Sequence, residues 1–257
     1  METSEHKPKK KIFVKKKIVL QTKKDAQPGP QPQPLQKEAN DVEPENRFVM
    51  QTMLTCLGNK RLLVDNIYDI VDNLRKKLGK DKLAIMDGFS GSAVVSRKLS
   101  YISSKIYAND LEQYAYLIAK SSLETPCEKD RKCVEMHINQ MNKLADCDTL
   151  PGGGFISRLY APSDTEKIQK GERCFYTQEN ARIIHAMRNY IDDPETDVPR
   201  HLRMHLIVPL LAKASIHANT SGVFKGFHSN NGVGAWGGAG AKCLPRIKGK
   251  IQLDMPV

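Results

Sequence analysis

The chain has 257 residues, and its 40 lysines and arginines outnumber its 29 aspartates and glutamates, which gives a formal charge of +11. At about 150 residues per domain, this length indicates one or two globular units. The sequence contains no run of about 18 apolar residues, and its lysine-rich start lacks an apolar core, which argues against a membrane span and a secretory signal. The positive charge favours a polyanionic partner, most simply nucleic acid.

Residues 1–46 are predicted to form a disordered tail that is basic and rich in Pro and Gln. Runs of three lysines at residues 9–11 and 15–17 repel one another. Residues 27–36 alternate Pro and Gln, which favours an extended chain rather than a core. Such a tail is ordinarily solvated, and it can also bind DNA phosphates without reading sequence.

Residues 47–125 are predicted to form an α/β region. Apolar residues that recur every three or four positions predict a first helix, ended by Gly79: Leu63, Ile67, Ile70, Leu74 and Leu78. An apolar strand at residues 83–87, a turn of small residues at 88–93 and a helix over residues 94–102 are predicted next. A second strand at residues 105–108 and a helix at 111–123 complete a pattern that is typical of a parallel α/β sheet.

Residues 126–257 are predicted to be helical and rich in loops. Residues 124–148 are polar and charged. Thr177 is predicted to cap a helix that runs to Ile191, and residues 201–218 are predicted to form a helix that Pro209 kinks or interrupts.

The six cysteines include no CxxC pair, and in a chain without a signal they indicate the reduced thiols of a cytosolic protein. Four residues lie close enough in sequence to suggest zinc: Cys127, Cys133, His137 and Cys147. Their spacing fits no common zinc template, so we expect no metal site.

A candidate ligand site is predicted where the two strands end. The small residues at 88–93 let the backbone approach a ligand closely, and the helix that follows offers unpaired N–H groups. Asp110 follows the second strand, where an acid can accept hydrogen bonds from ribose hydroxyls. The pattern favours a ribose-bearing cofactor. The turn lacks the glycine spacing of a dinucleotide site, so an ordinary turn with a solvated Asp110 is the alternative.

The sequence Asp-Gly-Phe-Ser-Gly-Ser-Ala at residues 87–93 resembles motif I, Asp-Pro-Phe-x-Gly-x-Gly, of the α group of adenine-N6 DNA methyltransferases. Residues 107–111 are similar to the family's second-strand segment, which ends in its ribose-binding acid. Residues 57–63 resemble its Tyr-x-Gly-x-Lys motif X. Residues 173–181 and 219–224 are similar to segments between motif I and the catalytic motif, so the resemblance extends over about residues 50–244.

The resemblance implies a Rossmann-like, S-adenosylmethionine-dependent methyltransferase fold, with residues 47–125 as the cofactor-binding subdomain and residues 126–257 as the target-recognition region. It implies methyl transfer from S-adenosylmethionine to adenine N6 in DNA, in a restriction-modification or other DNA-modification system of a microbe or virus. Phe89 and Gly91 are expected to line the cofactor pocket, Asp87 to lie at its floor near the methionine end, and Asp110 to bind the ribose. Lys60 is expected to position the methionine carboxylate or the target pocket; the alternative is a solvated lysine.

Double-stranded DNA is the expected partner, given the charge and the loop-rich second half. Four basic residues there are candidates for contacts with DNA, although each taken alone is an ordinary solvated charge: Arg158, Arg173, Arg203 and Lys225.

The sequence departs from the family in two ways. Gly88 replaces the Pro of motif I, and Ala93 replaces its last Gly, which is a mild change. The larger departure concerns the Asp-Pro-Pro-Tyr motif, with which the family grips the flipped adenine. No Pro-Pro pair occurs in this sequence. We therefore expect a fold that is truncated before the catalytic motif, and activity that needs a second polypeptide carrying it.

Two other functions remain open. The chain could be a non-catalytic DNA-binding or interaction module that is derived from such an enzyme. It could also be an unrelated nucleotide-binding α/β enzyme, which the ordered motifs X and I disfavour.

Overall fold

The computed structural model describes residues 48–51, 53–54, 60–147, 150, 154–220, 224–237 and 243–255. All of them belong to residues 42–257, the larger of the two units into which the chain divides. The predicted disordered tail lies outside the described residues, and so does the 57–59 part of the segment that resembles motif X.

Helices and strands alternate in the first part of the described chain. The elements are α1 (Val64–Lys77), β1 (Leu83–Asp87), α2 (Val94–Leu99), a 3-10 turn (Ser100–Ile102), β2 (Ser103–Ala108) and α3 (Gln113–Leu123). β1 and β2 pair in parallel, with Asp87 opposite Ala108. The predicted order of strand, turn, helix, strand and helix is confirmed.

The predicted first helix is present, but its apolar stripe is not covered. Gly79 ends α1 with φ +62°, and its N–H donates to the Lys76 carbonyl at 3.0 Å, as expected for a glycine cap. Val64 packs against α2, whereas Ile70, Leu74 and Leu78 are 70%, 52% and 54% exposed. The periodicity therefore predicted the helix correctly, and most of its apolar face is exposed among the described residues.

The second part of the chain is mostly helical. Its elements are α4 (Glu128–Ala145), α5 (Phe155–Tyr160), α6 (Gln178–Asp192), a 3-10 turn (Pro194–Thr196), α7 (Arg203–His217), β3 (Ser229–Asn230), β4 (Val233–Gly234) and α8 (Leu244–Lys248). Thr177 caps α6, because its hydroxyl accepts a hydrogen bond from Asn180 N at 3.1 Å. Pro209 lies inside α7 without ending it.

α4 is a helix that the sequence analysis missed. Most of its residues are charged or polar, which obscures the helix in the sequence. Its buried residues nevertheless recur every three or four positions: Val134, His137, Ile138, Met141 and Ala145. A narrow apolar stripe on a mainly polar helix is a weak signal in the sequence.

The main core joins α4, α6 and α7 through fully buried residues that include Met141, Met187 and Leu206. A smaller cluster packs Ala93 beside Ile118 of α3 and Val208 of α7. The fold is therefore mixed α/β and mostly helical. A Rossmann-like fold has a larger sheet than the described residues contain, which is one parallel pair and one antiparallel pair of strands. Across the described ranges, no helix is long and apolar enough to cross a membrane.

Candidate functional site

β1 and β2 end side by side, and the turn after β1 is hydrogen-bonded to the segment after β2. Asn109 N donates to the Asp87 carbonyl and Ser90 N to the Asn109 carbonyl, both at 2.9 Å. The Asp87 carboxylate also accepts a hydrogen bond from the Ser96 hydroxyl of α2 at 2.6 Å. Parallel strands end at the same edge of their sheet, which is where open α/β sheets bind ligands.

Asp110 joins the acid after β2 to the turn after β1. Its Oδ2 accepts a hydrogen bond from Gly91 N at 2.8 Å, and its Oδ1 accepts one from Glu112 N at 3.1 Å. Hydrogen bonds from the backbone, first from Glu112 and then from Gly91, hold the pKa of the Asp110 carboxyl below its ordinary value. The ionised carboxylate keeps further acceptor capacity, because each oxygen has two lone pairs.

Open space lies beside the two glycines of the turn. Apart from the chain neighbours, no atom lies within 4 Å of where a Cβ would stand at Gly88 or Gly91, and Gly91 has φ +49°. The side chains of Phe89 and Leu111 are 94% and 96% exposed. The edge therefore offers accessible backbone, a fixed carboxylate and two uncovered apolar side chains.

The backbone conformation of Ala93 shows why a glycine suits this position of motif I. Its φ is +56°, in the left-handed region, and its methyl group is fully buried. A residue with a Cβ in this conformation costs roughly 1–2 kcal/mol. The turn keeps its shape with alanine there, and Arg97 N donates to the Ala93 carbonyl at 2.8 Å to begin α2.

Arg97 is a buried cation that the sequence analysis missed. Its guanidinium donates to the carbonyls of Phe48 and Gln51, and the residue is 1% exposed. Burial, and then the charge of Arg61, lowers the Arg97 pKa to about 10, so it is charged at neutral pH. Arg97 thereby fastens the segment before the motif X region to α2. The signal in the sequence is the spacing: Arg97 lies three residues after Val94, so the two share the buried face of α2.

Lys60 lies before α1, where its carbonyl accepts a hydrogen bond from Leu63 N at 2.8 Å, and its side chain is exposed. The neighbouring part of motif X is not described, so the role of Lys60 stays a prediction.

The four predicted DNA contacts do not form one group. Arg158 and Arg173 line the same cavity of about 620 Å³, together with Arg182, which the sequence analysis did not single out. Arg203 lines a different cavity of about 760 Å³ and forms an ion pair with Asp192 at 3.6 Å. Lys225 is exposed next to Phe224, whose ring stacks on a buried phenylalanine, Phe175.

Comparison with known proteins identifies the family. Residues 57–195, more than half of the chain, match the profile of the D12 class N6 adenine-specific DNA methyltransferases. The chain belongs to this family. The matched residues include the turn, Asp110, Arg158 and Arg173, but neither Arg203 nor Lys225.

Two curated relatives of this D12 class protein are type II methyltransferases. It is 27% identical to M.CviAII of Paramecium bursaria Chlorella virus 1 over 172 residues, which are 65% of this chain and 47% of that protein. It is 25% identical to M.NlaIII of Neisseria lactamica over 179 residues, which are 69% of this chain and 50% of that protein. The chain thus spans about half the length of these relatives. No solved structure matches it significantly.

The residues considered for zinc differ in their surroundings in this D12 class protein. Cys127 is exposed at the start of α4, while His137 is buried and its Nδ1 lies 2.8 Å from the Tyr190 hydroxyl. Within the described part of the chain, no group of three or more His, Cys, Asp or Glu side chains could hold a metal ion.

Proposed function

We propose that this chain binds S-adenosylmethionine at the ends of β1 and β2 and acts in methyl transfer to adenine N6 in duplex DNA. The observation that carries the proposal is the 2.8 Å hydrogen bond from Gly91 N to the Asp110 carboxylate. It joins the motif I turn and the acid after β2 into one edge, as a shared nucleoside site requires.

The residues at this edge fit the chemistry of the cofactor. The ionised Asp110 offers acceptors to ribose hydroxyls, and the glycines leave the backbone open to a ligand. Phe89 and Leu111 give apolar surface to a heteroaromatic ring. The carboxylates of Asp87 and Asp110 favour a cationic ligand, and S-adenosylmethionine carries a sulfonium and an ammonium. When bound, the cofactor supplies the electrophilic methyl group.

The chain's own part in the reaction is to hold the donor. Transfer to an amino nitrogen depends mainly on alignment between the nitrogen and the methyl group, and such alignment is worth about 7–11 kcal/mol. The family's acceptor grip is Asp-Pro-Pro-Tyr, and this sequence has no Pro-Pro pair. We therefore infer that methyl transfer requires a second polypeptide that carries this grip.

Exposed apolar surface in the region from α1 to α3 supports such a partner. Parallel sheets are ordinarily covered on both faces, and an isolated sheet of two strands is only marginally stable. Here Met86 of β1 is 69% exposed, and the α1 stripe of Ile70, Leu74 and Leu78 is open among the described residues. A polypeptide that packs on this part of the chain would cover such exposed apolar side chains.

Tritium transfer from S-adenosylmethionine to unmethylated duplex DNA tests the proposal. We expect little transfer by the chain alone, and transfer when a polypeptide that carries Asp-Pro-Pro-Tyr, encoded in adjoining DNA, is added. Robust transfer by the chain alone would overturn the need for that polypeptide. Binding of DNA with no transfer in the mixture would favour the second candidate, a non-catalytic module, for which the missing Pro-Pro pair is the specific observation. Failure of the folded chain to bind S-adenosylmethionine in calorimetry would overturn the cofactor site.

A further inference from the structure

Three arginines from different elements face one concave surface. Arg158 lies on α5, Arg173 lies in the loop before α6, and Arg182 lies one turn into α6. All three side chains are exposed. α5 and α6 pack on one another above the main core, so their arginines are held on rigid elements.

The charge of this arginine pocket is not neutralised locally. In the described ranges, none of the three arginines has a carboxylate at ion-pair distance, whereas Arg188 of the same helix pairs with Asp192. Glu172 also lines the pocket, but its carboxylate accepts hydrogen bonds from Ser163 N at 2.9 Å, the Ser163 hydroxyl at 2.5 Å and Gln169 N at 2.7 Å. Three positive charges therefore face one negative charge, which leaves two in excess.

The free donors of the pocket come from side chains rather than from the start of α6. At the start of that helix, Gln178 N donates to the Thr165 hydroxyl and Asn180 N to the Thr177 hydroxyl. Two contacts orient the Arg173 side chain. Its Nη1 donates a hydrogen bond to the Leu159 carbonyl at 3.3 Å, and its guanidinium lies 5.8 Å from the Tyr160 ring centroid. A guanidinium has five donors, so Arg173 keeps several for a ligand.

We propose that Arg158, Arg173 and Arg182 together hold one backbone phosphate of duplex DNA. The inference rests on the proposed function, in which DNA is the substrate. A planar guanidinium matches two phosphate oxygens at once, and unpaired arginines that share a concavity are suited to a single anion. The three arginines are exposed at the surface, so a phosphate that is presented on a large duplex can reach them. Phosphate contacts of this kind set register without reading bases.

Fluorescence anisotropy with duplex DNA of arbitrary sequence, across a series of salt concentrations, tests this inference on the full chain. We expect Arg182→Gln to weaken binding about tenfold, as for loss of a charge-assisted hydrogen bond. Arg188→Gln is the matched control on the same helix and should leave affinity within about twofold. Thermal melting of each variant checks that the fold is kept.

The salt dependence of DNA affinity distinguishes one phosphate shared by the three arginines from three phosphates bound separately. Each neutralised phosphate contributes about 0.9 to the slope of log K against log salt. The triple variant Arg158→Gln, Arg173→Gln, Arg182→Gln should lower the slope by about 0.9; a loss near three times that value would mean three separate contacts and would overturn the shared site.

The remaining outcomes distinguish the pocket from the proposed function. Unchanged DNA affinity in the triple variant would overturn the pocket while the DNA function stands. No binding of duplex DNA by the parent chain, even at low salt, would overturn the DNA function itself. Stabilisation of the parent by inorganic phosphate, lost in the triple variant and unaccompanied by any effect on DNA affinity, would identify a free anion as the occupant and overturn the DNA source.

Discussion

The sheet region, from α1 to α3, and the helical region, from α4 to α7, bury their apolar residues very differently. In the helical region Met141, Met187 and Leu206 are completely buried in one core. In the sheet region the α1 stripe and the ends of both strands are open. The sheet region nevertheless carries the residues that resemble methyltransferase motifs. Among the described residues, the part of the chain with the motif resemblance is therefore the part with more exposed apolar side chains.

Truncation of a core side chain should have the largest effect on stability. Met187→Ala is expected to lower the free energy of unfolding by about 2–5 kcal/mol, because it leaves a cavity in the helical core. Ile70→Ala on the open stripe is the contrast, with a change within about 0.5 kcal/mol. Urea denaturation of the full chain measures both. A loss at Ile70 as large as that at Met187 would mean that the stripe is covered, and the contrast between the two regions would be wrong.

The proposed site at the ends of β1 and β2 should bind S-adenosylmethionine less tightly when the Asp110 carboxylate is removed. Asp110→Ala is expected to weaken S-adenosylmethionine binding by about 1.5–3 kcal/mol, because it removes a charged acceptor and releases Gly91 N. Glu112→Ala, two residues away and exposed, should leave the affinity unchanged, because Glu112 contacts Asp110 through its backbone N–H. Titration calorimetry gives both values. Equal affinity of parent and Asp110→Ala would place the ribose elsewhere.

A fall in pH should lower the free energy of unfolding through the histidines of the helical region. Burial lowers the pKa of His205 below its ordinary value of about 6.5, so the folded state keeps it neutral while the unfolded state takes up a proton. Its contribution to stability is therefore present above about pH 6.5 and declines as the pH falls toward the folded pKa. One proton sets a limit of about 1.4 kcal/mol per pH unit. His137 and His217 shift in the same direction.

Urea denaturation between about pH 7 and pH 5 measures this dependence. His205→Gln should reduce the slope of the unfolding free energy against pH by the equivalent of up to one proton. The substitution also disturbs the contact of 3.1 Å between His205 Nδ1 and the Ser121 hydroxyl. His201→Gln is the control for the loss of an exposed histidine in the same region. An equal slope in the parent and His205→Gln would show that His205 titrates alike in both states.

The sequence by itself determined the features that depend on a few neighbouring residues. The order of strands and helices, the glycine cap at Gly79 and the Thr177 cap follow from local hydrogen bonding and periodicity, and the structure has all of them. The motif I turn is also local, and the family match includes it. α4 was missed because its apolar stripe is narrow.

Only the tertiary structure decided which distant residues meet. Arg158, Arg173 and Arg182, each taken alone in the sequence, are ordinary arginines. The packing of α5 on α6 brings them to one pocket, whereas Arg203 of α7 pairs with Asp192. Periodicity along one helix states which residues share a face, but it does not state what covers that face. For this reason the sequence predicted the apolar stripe of α1 and could not predict that it would lie open.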